Sequence, residues 1–231
     1  MIRLGLAISF VCFLITVTFS AIGWYSVPEG QLVVTQVGPN GQPTNYGSKA
    51  EAFLFLPAIL AGITFLLSIA PAIDPRGQNI RRSRSLYMAA WVIGMVAIMA
   101  GQGMVTWLAL GNDIPEAAFS RGLSLFLPVL MIVLGLFIAK ARPNFFAGFR
   151  TPWTLSSDLS WDKTHRWASR LFLIVGLSGL IAAFLVPGQI MMIAMFAALM
   201  TVTLGLVIYS WWVWKNDPAR ETLTPEDADT D

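Results

Sequence analysis

Residues 171–214 read LFLIVGLSGLIAAFLVPGQIMMIAMFAALMTVTLGLVIYSWWVW, 44 residues without one charged side chain. The hydrocarbon core of a bilayer is crossed by about 20 helical residues. A helix rises about 1.5 Å per residue, so this run is about twice as long as one crossing needs. Pro187-Gly188 stands near its middle, where a turn divides it. The stretch therefore predicts two membrane helices, near 169–186 and 190–213.

The rest of the chain repeats the pattern. Residues 4–28, 52–73, 85–112 and 122–139 are also uncharged, and predict helices near 4–24, 52–73, 86–110 and 122–139. Lipid offers no partner to an open backbone, so each apolar run must satisfy its own hydrogen bonds as a helix. The alternation of a spanning barrel is missing from these runs. The expected fold class is all-α, a polytopic membrane protein of six transmembrane helices. Composition agrees: 56% of the 231 residues are hydrophobic, 12% are charged and the mean hydropathy is +0.67. A soluble domain carries about 25% charged residues, and this chain has too few to cover a core of its size. The first apolar run continues past Thr18-Phe19-Ser20-Ala21 to Trp24, which favours a retained span over a cleaved signal peptide.

Charge sets the orientation. With six spans, 13 of the 15 Lys and Arg fall on one side, leaving Lys49 and Arg121 on the other. The positive-inside rule then places both termini in the cytoplasm. The expected organisation is residues 1–73, two helices joined by an outer loop at 25–51; residues 74–214, four helices with an inner loop at 140–170; and a disordered acidic tail at 215–231. In the outer loop Leu32-Val33-Val34 suggests a short strand and Gly38-Pro39-Asn40-Gly41 a turn.

The span centres hold no Asp, Glu, Lys, Arg or His, which argues against ion-coupled transport. Gln102 is the strongest interior polar residue; an interhelical hydrogen bond is favoured over a ligand or pore contact. Ala90, Gly94, Ala97 and Gly101 share one face of the third span, and Gly179 and Ala183 repeat the small-xxx-small spacing; both read as packing faces. The single Cys12 excludes an internal disulfide. The single His165 offers neither a His-based metal site nor a serine–histidine–acid set. No cofactor, catalytic or metal-binding residue is expected, and the chain is read as no enzyme.

The inner loop is the most specific segment. Ser156 or Ser157 can cap a helix, with Asp158 and Asp162 in its first turns. Asp162 and Arg166 form an i,i+4 pair. Lys163, Arg166 and Arg170 share one face; Trp161, His165, Ala168 and Phe172 share another. This reads as an amphipathic helix over 157–170 lying on the inner leaflet, anchored by Trp153, Trp161 and Trp167.

Asn144, Gly148 and the unbroken run Arg150-Thr151-Pro152-Trp153-Thr154-Leu155, followed by Trp161 and Arg166, resemble the signature of the SdpI family of bacterial membrane proteins. Pro28, Gly41, Pro43, Gly47 and Lys49 in the outer loop resemble a small domain of unknown function that commonly precedes it. Gln36 stands where that pattern often has a histidine. The resemblance implies an integral protein of the bacterial inner membrane that confers immunity to a secreted, membrane-active peptide toxin. It also implies signalling through a cytoplasmic repressor held at the membrane, with no direct contact to nucleic acid. The bilayer itself is the remaining partner. A small transporter or channel component is the alternative.

Overall fold

A computed structural model describes residues 1–38, 41–75 and 77–220. Pro39 and Asn40 of the expected turn, Arg76, and tail residues 221–231 lie outside the described residues. The element order is α1 (Ile2–Ser26), β1 (Val33–Val37), β2 (Pro43–Gly47), α2 (Lys49–Ile73), α3 (Gly77–Arg82), α4 (Arg84–Ala109), α5 (Glu116–Ile138), α6 (Pro152–Leu155), α7 (Asp158–Ala182) and α8 (Gly188–Lys215). The protein is mostly helical, as its apolar runs require.

Five helices, α1, α2, α4, α5 and α8, are long and apolar enough to cross a membrane. The sixth expected span departs from expectation. It is the second half of α7, a single helix that also contains the segment expected to lie flat on the leaflet. All the charges of α7 fall in Asp158–Arg170, and the uncharged part, 171–182, has only 12 helical residues. That is about 18 Å of rise, short of the roughly 30 Å of hydrocarbon.

The chain packs as two units. The first comprises Met1–Ala70, Met88–Phe126 and Ala182–Met192. Here α1 buries its small and polar face, Gly5, Ser9, Cys12, Thr16, Ser20 and Gly23. Its bulky residues, among them Leu4, Phe10, Val11 and Leu14, point outward. Lipid is as apolar as leucine, so close packing and hydrogen bonds, rather than burial of bulk, bring membrane helices together. Trp91 of α4 lies against Gly5 and donates its indole N–H to Ser9 Oγ at 2.8 Å. Phe53 of α2 fills the place where a Gly23 side chain would start, 2.1 Å from its ring. Gln102 donates from Nε2 to the Ala52 carbonyl at 3.2 Å, the interhelical bond expected of it. Thr106 donates to the Phe19 carbonyl at 3.0 Å.

Of the small-residue stripe of α4, only Gly101 meets a neighbouring helix, with Leu56 of α2 3.7 Å from where its Cβ would lie. Ala90 and Ala97 are exposed, and a side chain at Gly94 would meet open space. The buried face of α4 instead carries Trp91, Met95, Gln102, Val105 and Thr106, because indole, amide and hydroxyl groups find partners on α1 and α2 that methyl groups cannot.

The outer loop folds onto this unit as an antiparallel hairpin. β1 pairs with β2 from Val33 opposite Gly47 to Val37 opposite Pro43, with register shifts on either side of Gln36. Val27, Val33, Ala52, Phe53 and Val105 form the core beneath it.

The second unit comprises Pro71–Tyr87, Leu127–Ile181 and Ile193–Asp231. In it α5 and α7 meet closely through glycine. A Cβ at Gly135 would lie 3.1 Å from the Ser169 carbonyl oxygen, and one at Gly176 would lie 2.9 Å from that of Pro128. Ser169 donates to the Gly135 carbonyl at 2.6 Å. Gly179 approaches Met195 of α8, consistent with the small-residue reading of that position.

Candidate functional site

Residues 139–157 of the second unit contain little regular structure, yet they are tightly tied. Asn144 is fully buried and uses every polar site it has. Its Oδ1 accepts the Phe146 and Ala147 amides at 2.9 and 2.7 Å. Its Nδ2 donates to the Arg142 and Ala147 carbonyls at 2.7 and 3.2 Å. An amide held this way closes a tight turn that no hydrocarbon side chain could close. Asp74 adds an acceptor for the Phe145 amide at 2.9 Å.

The chain then passes Gly148, whose φ of +116° places it in a region that L side chains rarely adopt. There is no room for a side chain either. A Cβ would sit 2.3 Å from His165 Nε2 and 3.2 Å from the Trp161 ring. Beyond the glycine, the Phe149 amide donates to His165 Nε2 at 3.0 Å. His165 Nδ1 donates to the Trp161 carbonyl at 2.8 Å. These bonds define a neutral imidazole with its proton on Nδ1. Burial pushes the imidazole pKa down to about 4, outweighing the Trp161 carbonyl bond and the Asp162 charge, which act in the opposite sense. The ring stacks on Trp161 with centroids 4.1 Å apart. Trp161 in turn donates its indole N–H to the Ala141 carbonyl at 2.9 Å.

Arg150-Thr151-Pro152-Trp153-Thr154-Leu155 makes the next turn. Arg150 is exposed and donates to the Phe145 carbonyl across the loop. Thr151 caps the single-turn helix α6, accepting from the Thr154 amide at 3.2 Å while Thr154 Oγ1 accepts the Thr151 amide at 3.0 Å. Pro152 occupies the first helical position, where its missing N–H costs nothing. Thr154 Oγ1 also donates to the Phe149 carbonyl at 2.7 Å. Trp153 and Leu155 are half-buried. Ser157 then caps α7 by accepting the Ser160 amide at 2.9 Å, and donates to Asp217 just after α8 at 2.5 Å. This bond, joined by the Ala219 amide, holds the Asp217 carboxyl below the usual carboxylate range.

The faces read from the sequence are present on α7. Lys163, Arg166 and Arg170 are exposed, and Arg166 pairs with Asp162 at 2.6 Å. Trp161, His165, Ala168 and Phe172 are buried together. Their surroundings differ from expectation. Trp161 is not an anchor in the headgroup layer but a fully buried strut beneath the loop, because its N–H has a backbone carbonyl to satisfy and its ring an imidazole to cover. Trp167 remains partly exposed and stacks under Arg170, 5.5 Å from the guanidinium.

Residues 140–210 match the sequence model of the SdpI/YfhL protein family. The chain carries an SdpI/YfhL family region. That region is similar to the SdpI/YfhL family, and five helices of the chain are long and apolar enough to cross a membrane. The SdpI/YfhL family is not a family of enzymes. No curated protein and no solved structure matches the chain. The signature residues converge in the region that the SdpI/YfhL match covers: Asn144, Gly148, Thr151, Thr154 and Trp161 build the loop, while Arg150 and Arg166 stay at its surface. Sequence reading missed the part played by His165. Its four-residue spacing from Trp161, on a face with Ala168 and Phe172, was the available signal.

The outer-loop residues are a separate cluster in the first unit. Lys49 is nearly buried, pairs with Glu29 at 2.8 Å and sits 5.0 Å from the centre of the Trp24 ring. Gly41 has a φ of +78° and closes the hairpin beside Phe119. Gly47 leaves room for Glu51, whose Oε2 accepts the Ser48 amide at 2.8 Å. Pro43 begins β2, and the Pro28 carbonyl accepts the Gln31 amide at 3.4 Å. Gln36 is exposed on β1 opposite Asn45.

Proposed function

We propose that this protein protects a bacterial cell against a secreted, membrane-active peptide, as an SdpI-type immunity protein of the inner membrane. The observation that carries the reading is the family region at residues 140–210, whose signature builds one ordered loop. In this reading the uncharged half of α7 and the residues up to Val186 make the sixth crossing, with Arg170 at its edge reaching back to the headgroups. Both termini are then cytoplasmic, in accord with the distribution of Lys and Arg. The hairpin and the Lys49 cluster face the toxin. The inner loop faces headgroups and a cytoplasmic regulator, with Arg150 as the recognition group at its surface.

The test is survival. A sensitive host expressing the protein, challenged with a secreted membrane-active peptide, should survive at least tenfold better than the host alone. Arg150→Lys, inserted to the same level, should weaken that protection, because lysine lacks the planar fork. Survival unchanged by expression, together with ion flux across vesicles carrying the purified protein, would replace immunity by a channel function.

A further inference from the structure

We infer that a cavity at the charged end of the second unit binds a zwitterionic group carrying a phosphate and an ammonium. The cavity has a volume of about 830 Å³ and is walled by residues from α3, the loop after α5, the start of α7 and the segment after α8. Small-molecule sites occupy about 300–1,000 Å³, so it has room for a phospholipid headgroup.

Its charged walls are Arg82, Arg142, Asp158 and Asp217. The guanidinium groups of Arg82 and Arg142 and the carboxylate of Asp158 have no hydrogen-bond or ion-pair partner among the described residues. Asp217 is already engaged by Ser157 and the Ala219 amide. Two unpaired guanidinium forks match the oxygens of a phosphate. The two carboxylates bring the four charges to zero, so a polyanion would meet like charge as well as opposite charge. A group of balanced charge meets only attraction when its phosphate lies on Arg82 and Arg142 and its ammonium on Asp158. The chemistry is that of a phosphoethanolamine, from an aminophospholipid headgroup or from a soluble phosphoamine. The inference deepens the reading of the inner loop as the part of the protein that meets headgroups, and rests on it for the lipid source.

The test uses the full chain, purified and stripped of lipid in a non-ionic detergent, with calorimetric titration of defined probes. Short-chain phosphatidylethanolamine or O-phosphoethanolamine should bind at least tenfold more tightly than inorganic phosphate, phosphatidylglycerol or phosphatidylcholine. Tighter binding of the lipid than of O-phosphoethanolamine assigns the site to the membrane; equal binding assigns it to a soluble ligand. Arg82→Gln/Arg142→Gln should weaken binding at least tenfold, and Asp158→Asn should bring the ethanolamine lipid down to the choline lipid. Both arginines are exposed, so the variants should melt with wild type. If the double variant does not, each single substitution should still weaken binding at least threefold. Inorganic phosphate binding as tightly as O-phosphoethanolamine, indifference to Asp158→Asn, or binding of none of the probes would overturn the proposal. Survival of toxin-challenged cells carrying the same variants is a separate readout, so a failed binding site and a failed immunity reading are told apart.

Discussion

Gly148→Ala should be among the most damaging single-methyl additions in this protein. Two costs combine. At φ +116° the backbone is in a region strained for alanine, worth about 1–3 kcal/mol. The new Cβ would also lie 2.3 Å from His165 Nε2, so the imidazole must leave. Its departure strips the Phe149 amide of its acceptor, and a buried unpaired donor costs about 1–3 kcal/mol more. The total is about 4 kcal/mol, a large share of the 5–15 kcal/mol by which folded proteins are typically stable. For a chain of this size that corresponds to a fall of about 10 °C in melting temperature. The assay is thermal unfolding of the detergent-solubilised protein, followed by size exclusion or intrinsic tryptophan fluorescence. Gly94→Ala is the internal control, since Gly94 has nothing within 4 Å of the added carbon and no positive φ. Placing Gly148→Ala in a His165→Ala background removes the clash with the imidazole and leaves the backbone part and the 3.2 Å approach to Trp161, so the second substitution should cost less there than in the wild type. If Gly148→Ala melts within 2 °C of Gly94→Ala, the account of the loop as a knot closed on His165 is wrong.

The buried imidazole also sets a pH dependence. His165 has a folded pKa lowered to about 4 from 6.5, so the unfolded chain binds more protons between those values, and stability falls as pH drops through that window. The loss approaches about 3 kcal/mol below pH 4, and His165→Gln should abolish this component in melting curves recorded from pH 7 to 4. Topology is read by single-cysteine labelling in a Cys12→Ser background. Gln31→Cys should react with an impermeant reagent from outside and Lys163→Cys only after the membrane is opened, both positions being exposed; the reverse pattern would invert the orientation. Gly23→Ala should destabilise by about 1–3 kcal/mol, since its Cβ would press into the Phe53 ring; a melting temperature equal to wild type would refute the close α1–α2 contact.

Composition and spacing alone make the chain helical and apolar, place five of its long helices, and put a turn at Pro187 before the last one. Those features are local. Uncharged runs of 20 residues, the loss of a donor at proline and the i,i+4 spacing of Asp162 and Arg166 need no knowledge of what lies across the bundle. The sequence also located the signature loop, because the run from Arg150 to Leu155 is a pattern of neighbours. Which faces pack, and what the signature residues hold together, follow from contacts between distant parts of the chain. In lipid, apolar surface is no guide to the buried side, so the stripe on α4 misled while the Gly5–Gly23 face of α1 passed unnoticed until Trp91 and Phe53 were seen against it. Trp161 reads as a membrane anchor in one dimension. Only in three does the Ala141 carbonyl, 20 residues earlier in the chain, claim its N–H, and His165 close over Gly148. Hydrogen bonds between residues far apart in sequence leave no periodic trace, and those bonds turn a basic, tryptophan-rich segment into an ordered loop.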